Sequence, residues 1–579
     1  MCGFLYARLH KNNDPVFGQI FHEALQLMQY RGPDAFDVHH HDHHYFGHVR
    51  LSILDLSHHS NQPLLFSNGI LLFTGEIYNY QQLVNDAKSD TLALAHMLSQ
   101  GIDISQKLNG MYAILFYNLI TKTTTILRDF YGEKIVYYYH DQHVFIASST
   151  IKSIRYILRS FYQKDLIINK LALYEYLLCG FVREPHTIYE DIKVLAPGHQ
   201  LIFSSNELVI NNNHLSLLTN ATLTPREYID LALSTYDVRP SLLLSSGVDS
   251  TYLLSLIQGR KVDFNLMTYK APQKIHDESA IATDHVKKIC GSEVRSFNIL
   301  ENHDSIDELF DQYHKLLEQP SSDGINLFNI LSMFRQIDIK AKLIFLGVGG
   351  DELYGGYQSF RNYKKFYLLR SLPMIQYAVK KYQRFNYLSD QNTTPELYYF
   401  LYRSCPFFIR FLPGDIQLKL FNQFHQEMKK YQSQTNIRSR IKRCETFDYM
   451  RNQLLRDVDN TSLYCGFEAR NPLLSTMGYL LPADFKTSMK LHLKRKHDLS
   501  FTRKKGFTFS PLNRNFSEIL IKKIIALHLT YPIFSPSILD ELILACRTNF
   551  NLLSKVYNLL AWLNTNQADI GEDACLLFG

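Results

Sequence analysis

Six residues near the middle of the chain, Ser245-Ser246-Gly247-Val248-Asp249-Ser250, constrain the fold more than any other stretch. The apolar run Leu242-Leu243-Leu244 leads into them, and a helix-forming run from Thr251 to Ile257 follows. That order predicts strand, small-residue loop, helix. Small residues let backbone N–H groups turn around an anion, and the helix N-terminus behind them adds a positive dipole. Asp249 would repel a bare phosphate, so Mg²⁺ between the two is the natural complement. No G-x-x-x-x-G-K-[ST] stands nearby, which excludes a Walker A loop. A second stretch repeats the pattern: the apolar run Leu343 to Leu346, then Gly347-Val348-Gly349-Gly350, then the acidic pair Asp351-Glu352. Phe264 to Tyr269 reads as another strand, and Asp277-Glu278-Ser279 as the cap of the helix after it. Strands alternating with helices predict a doubly wound parallel sheet with ligands at the carboxyl ends of its strands.

The chain is too long, at 579 residues, for one core. Hydrophobic residues at 46% and charged residues at 20% describe a soluble globular protein. No apolar run is long enough to span a membrane, and Met1-Cys2-Gly3 opens no secretory signal. Eight scattered cysteines without a C-x-x-C pair predict reduced thiols and a cytoplasmic location. A net charge of +6 is small for this size and calls for no nucleic-acid surface. The run His39-His40-His41-Asp42-His43-His44 suits a hairpin tip, since adjacent side chains cannot all converge on one ion.

Cys2 is a candidate nucleophile, because removal of Met1 would leave its α-amino group as base for its own thiol. Further stretches support it: Arg31-Gly32-Pro33-Asp34, Gly47 to Asp55, Gln62-Pro63-Leu64, Thr74-Gly75-Glu76-Ile77-Tyr78-Asn79 and Ser89-Asp90-Thr91. In order and spacing they resemble the class II glutamine amidotransferase domain of asparagine synthetases, an αββα sandwich of the N-terminal-nucleophile type. The loop at Ser245 resembles the pyrophosphate loop of ATP pyrophosphatases. Gly466 to Leu474 and Arg503-Lys504-Lys505-Gly506-Phe507 resemble late motifs of the synthetase domain.

The resemblance implies two domains, at 2–205 and 220–579. It implies that Cys2 attacks glutamine, and that Thr74 and Gly75 form the oxyanion hole. Arg50 with Leu51, Ser52, Ile53 and Leu54 would hold the glutamine α-carboxylate, and Glu76 with Asp90 its α-amino group. ATP would contact Leu244, Ser245, Ser246, Gly247, Asp249, Ser250, Met267, Leu346, Gly347 and Asp351. Mg²⁺ would sit on Asp249 and Asp351, and Lys504 would face the reacting phosphates. The implied reaction joins ammonia from glutamine to the β-carboxylate of aspartate through an acyl-adenylate, in an enzyme that often dimerises.

Several positions depart from the family pattern. Thr74 replaces an Asn whose side chain donates to the oxyanion, and the loss of such a donor can cost about 10²–10³ in rate. Val348 replaces a Glu, Leu346 a Ser, Ser246 a Gly and Ser475 an Asp. These changes leave open another carboxylate, such as a sugar acid or a peptide, as acceptor. A β-lactam-synthetase-like cyclase has no use for glutamine. A non-catalytic nucleotide-binding descendant is the remaining alternative.

Overall fold

A computed structural model of the chain describes residues 2–10, 15–205, 207–213, 223–234, 236, 238–258, 264–270, 277–291, 297–300, 306–336, 341–369, 394–431, 436–475, 478–479, 485–501 and 514–566. The N-terminal third holds two six-stranded sheets. The first, in the order β10-β8-β9-β1-β3-β2, contains β1 (Cys2–Leu9), β2 (Ala35–His41), β3 (His44–Arg50), β8 (Tyr137–His140), β9 (Val144–Ser148) and β10 (Lys193–Val194). The second, β12-β11-β7-β6-β5-β4, contains β4 (Leu64–Phe66), β5 (Gly69–Ile77), β6 (Gly110–Asn118), β7 (Thr123–Arg128), β11 (His199–Ser204) and β12 (Glu207–Asn212).

Side chains alternate across a strand, so β1 serves two cores at once. Phe4 and Tyr6 face the second sheet, packing with Phe46, Leu72, Leu115 and Phe145. Leu5 and Ala7 face outward, where the helices Pro15–Gln26 and Ile151–Tyr162 cover them with Phe21, Leu25 and Ile154. The helix Asp90–Ser99 covers the far side of the second sheet with Leu94 and Leu98. These are the four layers expected from the sequence.

Two local expectations change. β12 pairs with β11 through Asn212, so the sheet continues past residue 205 and Asn211 belongs to a strand. His39–His41 are strand residues of β2, and only Asp42 and His43 turn. His44 is buried between the sheets, its Nδ1 2.7 Å from the Tyr6 hydroxyl.

The second half is built on a five-stranded parallel sheet in the order β15-β14-β13-β16-β17. Its strands are β13 (Ser241–Leu244), β14 (Asn265–Tyr269), β15 (Phe297–Leu300), β16 (Leu343–Phe345) and β17 (Glu468–Arg470). β15 and β17 were not read from the sequence. β13 lies at the centre with β14 on one side and β16 on the other, so the strand order reverses there. In such sheets the crevice at the carboxyl ends of those strands holds the ligand. Beyond residue 394 the described chain is helical apart from β17 and the loops. No helix of the described residues is long and apolar enough to cross a membrane.

Ion pairs tie the sandwich to the parallel-sheet half. Arg31 donates to Asp459 at 2.7 Å with both side chains 2% exposed, and Lys134 reaches the same carboxylate at 3.3 Å. Lys342 meets Asp34 at 2.5 Å, and Arg183 meets Asp448 at 2.5 Å. The Arg31-Gly32-Pro33-Asp34 stretch therefore bonds across the interface through both of its charged ends.

Candidate active sites

The β1–β3 ladder decides the first site. Its register sets Cys2 opposite Arg50, at the end of both strands. A cavity of about 40 Å³ opens there, lined by Cys2, Arg50, Leu51, Ile53, Leu54, Gly75, Glu76 and Asp90 among others. Ser52 and Thr74, expected in the same site, do not line it. The Ser52 N–H donates to Asp34 at 2.7 Å, and the Thr74 hydroxyl donates to the Cys2 carbonyl at 3.1 Å. Thr74 thus spends its hydroxyl on the backbone of the nucleophile. Gly75 has φ +121°, and a Cβ there would stand 2.0 Å from the Met111 carbonyl oxygen, so only glycine fits.

Burial pushes the Cys2 thiol up, which makes a base necessary for thiolate formation. The Arg50 guanidinium donates to the Ser57 carbonyl and to Asn61 Oδ1, both at 2.6 Å, and to the Asp55 carbonyl. Asp90 accepts the N–H groups of Ile77 at 3.1 Å and Thr91 at 2.7 Å. Burial nevertheless raises it to about 6. Burial also pushes Glu76 up; Arg470 opposes this, and Glu468 and Asp90 add to it.

Two of those neighbours come from β17, in the other half of the chain. Glu468, 3% exposed, lines the Cys2 cavity, and Arg470 pairs with Glu76. Arg470 also donates to the Ala232 carbonyl at 2.9 Å. The sequence carried a signal for this: two charged residues flank Ala469 in an otherwise apolar neighbourhood, as a buried paired strand would need.

The second site lies at the strand-order reversal. A cavity of about 270 Å³ brings together Ser245, Asp249, Ser250, Leu346, Gly347 and Asp351 from the expected set, with Val348 and Glu352 beside them. Leu244, Ser246, Gly247 and Met267 do not line it. Met267 is buried in β14 beside Leu243 of β13, and Leu244 is buried at the end of β13. The loop itself is cross-tied: Ser245 N–H donates to the Ser250 hydroxyl at 3.1 Å, and Gly247 N–H to the Ser245 hydroxyl at 3.1 Å. The two glycine stretches meet because one makes room for the other. A Cβ on Gly350 would lie 2.3 Å from Asp249 Cγ.

Lys486, at the start of the helix Phe485–His497, completes this centre and was not singled out in the sequence. Its Nζ bonds Asp249 Oδ2 at 2.7 Å and also Asp351 Oδ1. Burial works against its charge, but Asp249 and Asp351 outweigh that and hold it above the usual lysine range. Two carboxylates that close on one ammonium are a hard-oxygen pair of the kind Mg²⁺ accepts. Lys504 lies outside the described residues.

Residues 1–214 match the glutamine amidotransferase domain model, and residues 230–486 match the asparagine synthase model. Asparagine synthetase [glutamine-hydrolyzing] 1 of Bacillus subtilis is 26% identical over 62% of this chain and 60% of its own length. A Methanocaldococcus jannaschii protein named for the same family is 26% identical over 56% of this chain and 69% of its own. Amidase chry2 of Gibberella zeae is 26% identical over 58% of this chain and 55% of its own. The chain thus spans between 55% and 69% of the length of these relatives. The chain thus carries a glutamine amidotransferase domain followed by an asparagine synthase domain.

Proposed function

We propose that the chain is a cytoplasmic ATP-dependent carbon–nitrogen ligase that takes its nitrogen from glutamine. The observation that carries this reading is β17, which lines one cavity and is bonded to a wall residue of the other. Its Glu468 lines the Cys2 pocket, and its Arg470 carbonyl accepts the N–H of Leu346, a residue of the nucleotide cavity, at 2.9 Å.

After removal of Met1, the free α-amino group of Cys2 takes the thiol proton, its ordinary pKa of about 7.7–8.0 suiting it to neutral solution. The thiolate attacks the glutamine side-chain carbonyl, with the Gly75 N–H facing the developing oxyanion. Ammonia leaves, and water releases glutamate from the thioester. Arg50 serves the α-carboxylate and Glu76 with Asp90 the α-ammonium; Glu468 adds a third acidic group to that end. At the second site the acceptor carboxylate attacks the α-phosphorus of ATP and pyrophosphate departs. Ammonia, passing between the domains, then displaces AMP from the acyl group. Asp249 and Asp351 would hold Mg²⁺, which when bound neutralises phosphate charge. Lys486, and Lys504 by the family pattern, are the cations suited to the leaving pyrophosphate.

The family resemblance implies aspartate as acceptor, with asparagine as product. A different carboxylate is the second reading, favoured by Val348 and Leu346, which put apolar surface on the cavity wall. The test is nucleotide analysis of reactions containing glutamine and a panel of carboxylic acids that includes aspartate. AMP and pyrophosphate, with one product amide per AMP, are expected, and Cys2→Ala should leave only ammonia-driven synthesis. ADP as the product would refute the adenylation chemistry.

A further inference from the structure

The second cavity carries more acid than its nucleotide chemistry uses. Besides Asp249 and Asp351, its wall includes Asp323, Asp457 and Glu352. Among the described residues no lysine, arginine or histidine lines it, and Lys486 behind the wall bonds Asp249 and Asp351. The bonds these three extra carboxylates accept come from neutral donors. Tyr449 donates its hydroxyl to Asp323 at 2.7 Å, Tyr357 donates to Glu352, and Ser321 and Gln453 donate to Asp457 Oδ2 at 2.8 and 2.5 Å.

Asp457 is the sharpest case. It is 3% exposed, and its Oδ1 is buried without a hydrogen-bond partner among the described residues. Burial lifts its carboxyl to about 7, against the pull of Arg456. Arg456 is not on the cavity wall; its guanidinium reaches the Val182 carbonyl at 3.4 Å. A buried acid in this condition is stabilised by a cation brought to it. Among the described residues no three acidic, histidine or cysteine side chains group as a metal site held by the protein alone would require. The rest of the wall, including Leu327, Ile330 and Val348, suits an apolar stem.

Resting on the amidation reading above, we propose that the acceptor is a carboxylic acid that carries an ammonium group and no second free carboxylate. The ammonium sits against Asp457 and Asp323, the stem runs along Leu327, Ile330 and Val348, and the acid reaches the nucleotide. A second carboxylate would join an acidic wall whose neighbouring cation, Lys486, is already shared by Asp249 and Asp351, and desolvating it unpaired is costly. Free aspartate is therefore a poor acceptor, whereas the same molecule with its α-carboxylate blocked is a good one.

The experiment is ATP–pyrophosphate exchange by the full chain with Mg²⁺, which reports adenylation without glutamine. The acids compared are aspartic acid α-amide, β-alanine, aspartate and succinate. Aspartic acid α-amide should exceed aspartate at least tenfold in kcat/KM, and succinate should be weakest. Asp457→Asn should lower kcat/KM for the two amine monoacids at least tenfold with the KM for pyrophosphate unchanged. Asp323→Asn, at a half-buried position, repeats that test if the Asp457 variant fails to fold by circular dichroism. Asn326→Arg, placing a cation on the wall, should raise aspartate use at least tenfold. Exchange in which aspartate or succinate equals the amine monoacids, or folded Asp457 and Asp323 variants with unchanged kcat/KM, would overturn the inference and leave the ligase reading standing. No exchange with any of the four acids, or with a wider panel of carboxylates, would overturn both.

Discussion

Replacing Asp459 with asparagine should loosen the contact between the two halves more than any other single substitution there. Asp459 accepts Arg31 at 2.7 Å and Lys134 at 3.3 Å, and none of the three side chains is more than 3% exposed. The two cations hold its carboxyl below the usual range even though burial opposes them. Its charge therefore contributes stability above about pH 3.9, the unfolded value, and the contribution fades as pH falls through the folded one. The Asp459→Asn variant would leave two buried cations facing an uncharged amide. Breaking one buried pair costs about 3–5 kcal/mol. At about 1.36 kcal/mol per tenfold, that is roughly 10²- to 10⁴-fold in the local opening equilibrium. A chain of this size does not unfold in one step, so the assay is local. Amide hydrogen exchange of Arg31 and Gly32, whose N–H groups close the Gln29–Arg31 turn at 2.9 and 3.1 Å, reads the opening directly. Arg31→Met should accelerate exchange less, because Asp459 keeps Lys134. Unchanged exchange in Asp459→Asn, or a larger effect from Arg31→Met, would refute the reasoning.

Other outcomes follow from the same geometry. Gly350→Ala should reduce pyrophosphate release at least 100-fold and leave glutamate formation intact, because its Cβ would stand 2.3 Å from Asp249 Cγ; equal loss in both assays would indicate misfolding instead. Thr74→Asn should raise glutaminase kcat about tenfold or more by adding an amide donor where the threonine hydroxyl now serves the Cys2 carbonyl. Asp90 titrates near 6 because it is buried. Glutaminase kcat/KM should therefore fall as pH drops below about 6, where Asp90 gains a proton and loses its hold on the α-ammonium. Asp90→Asn should remove this additional fall and leave only the shallower acid limb set by the Cys2 α-amino group, and a profile that still steepens below about pH 6 would count against the assignment.

What the sequence made legible is what local order determines. The passage from Leu242 through Ser250 to Ile257 is strand, loop and buried helix, because apolar run, small residues and helix formers follow in sequence. The layers of the sandwich were expected from the resemblance to the class II amidotransferase domain and not from local pattern in β1 or β5. Contacts that depend on distant partners were not legible. Lys486 sits in the strongly basic segment Phe485–His497, where nothing local separates it from solvated lysines such as Lys490. Its role follows only when the sheet brings Asp249 and Asp351 within reach of it. Leu244 and Met267 were expected at the nucleotide from the family resemblance, yet the pleat turns both into the core. Asp323 and Asp457 lie far apart in sequence, and neither stands in a glycine loop. Only the packing of the helix Arg456–Tyr464 brings Asp457 to the same wall as Asp323.

The most direct test of coupled amide transfer is to supply glutamine labelled with ¹⁵N in its amide, together with ATP, Mg²⁺ and a supporting acid, in a pool of unlabelled ammonium. One glutamate per AMP, with ¹⁵N retained in the product amide, is the expected result. Glutamate formed without AMP, or a product amide that carries the nitrogen of the free pool, would contradict the proposal that Cys2 and the nucleotide loop serve one reaction.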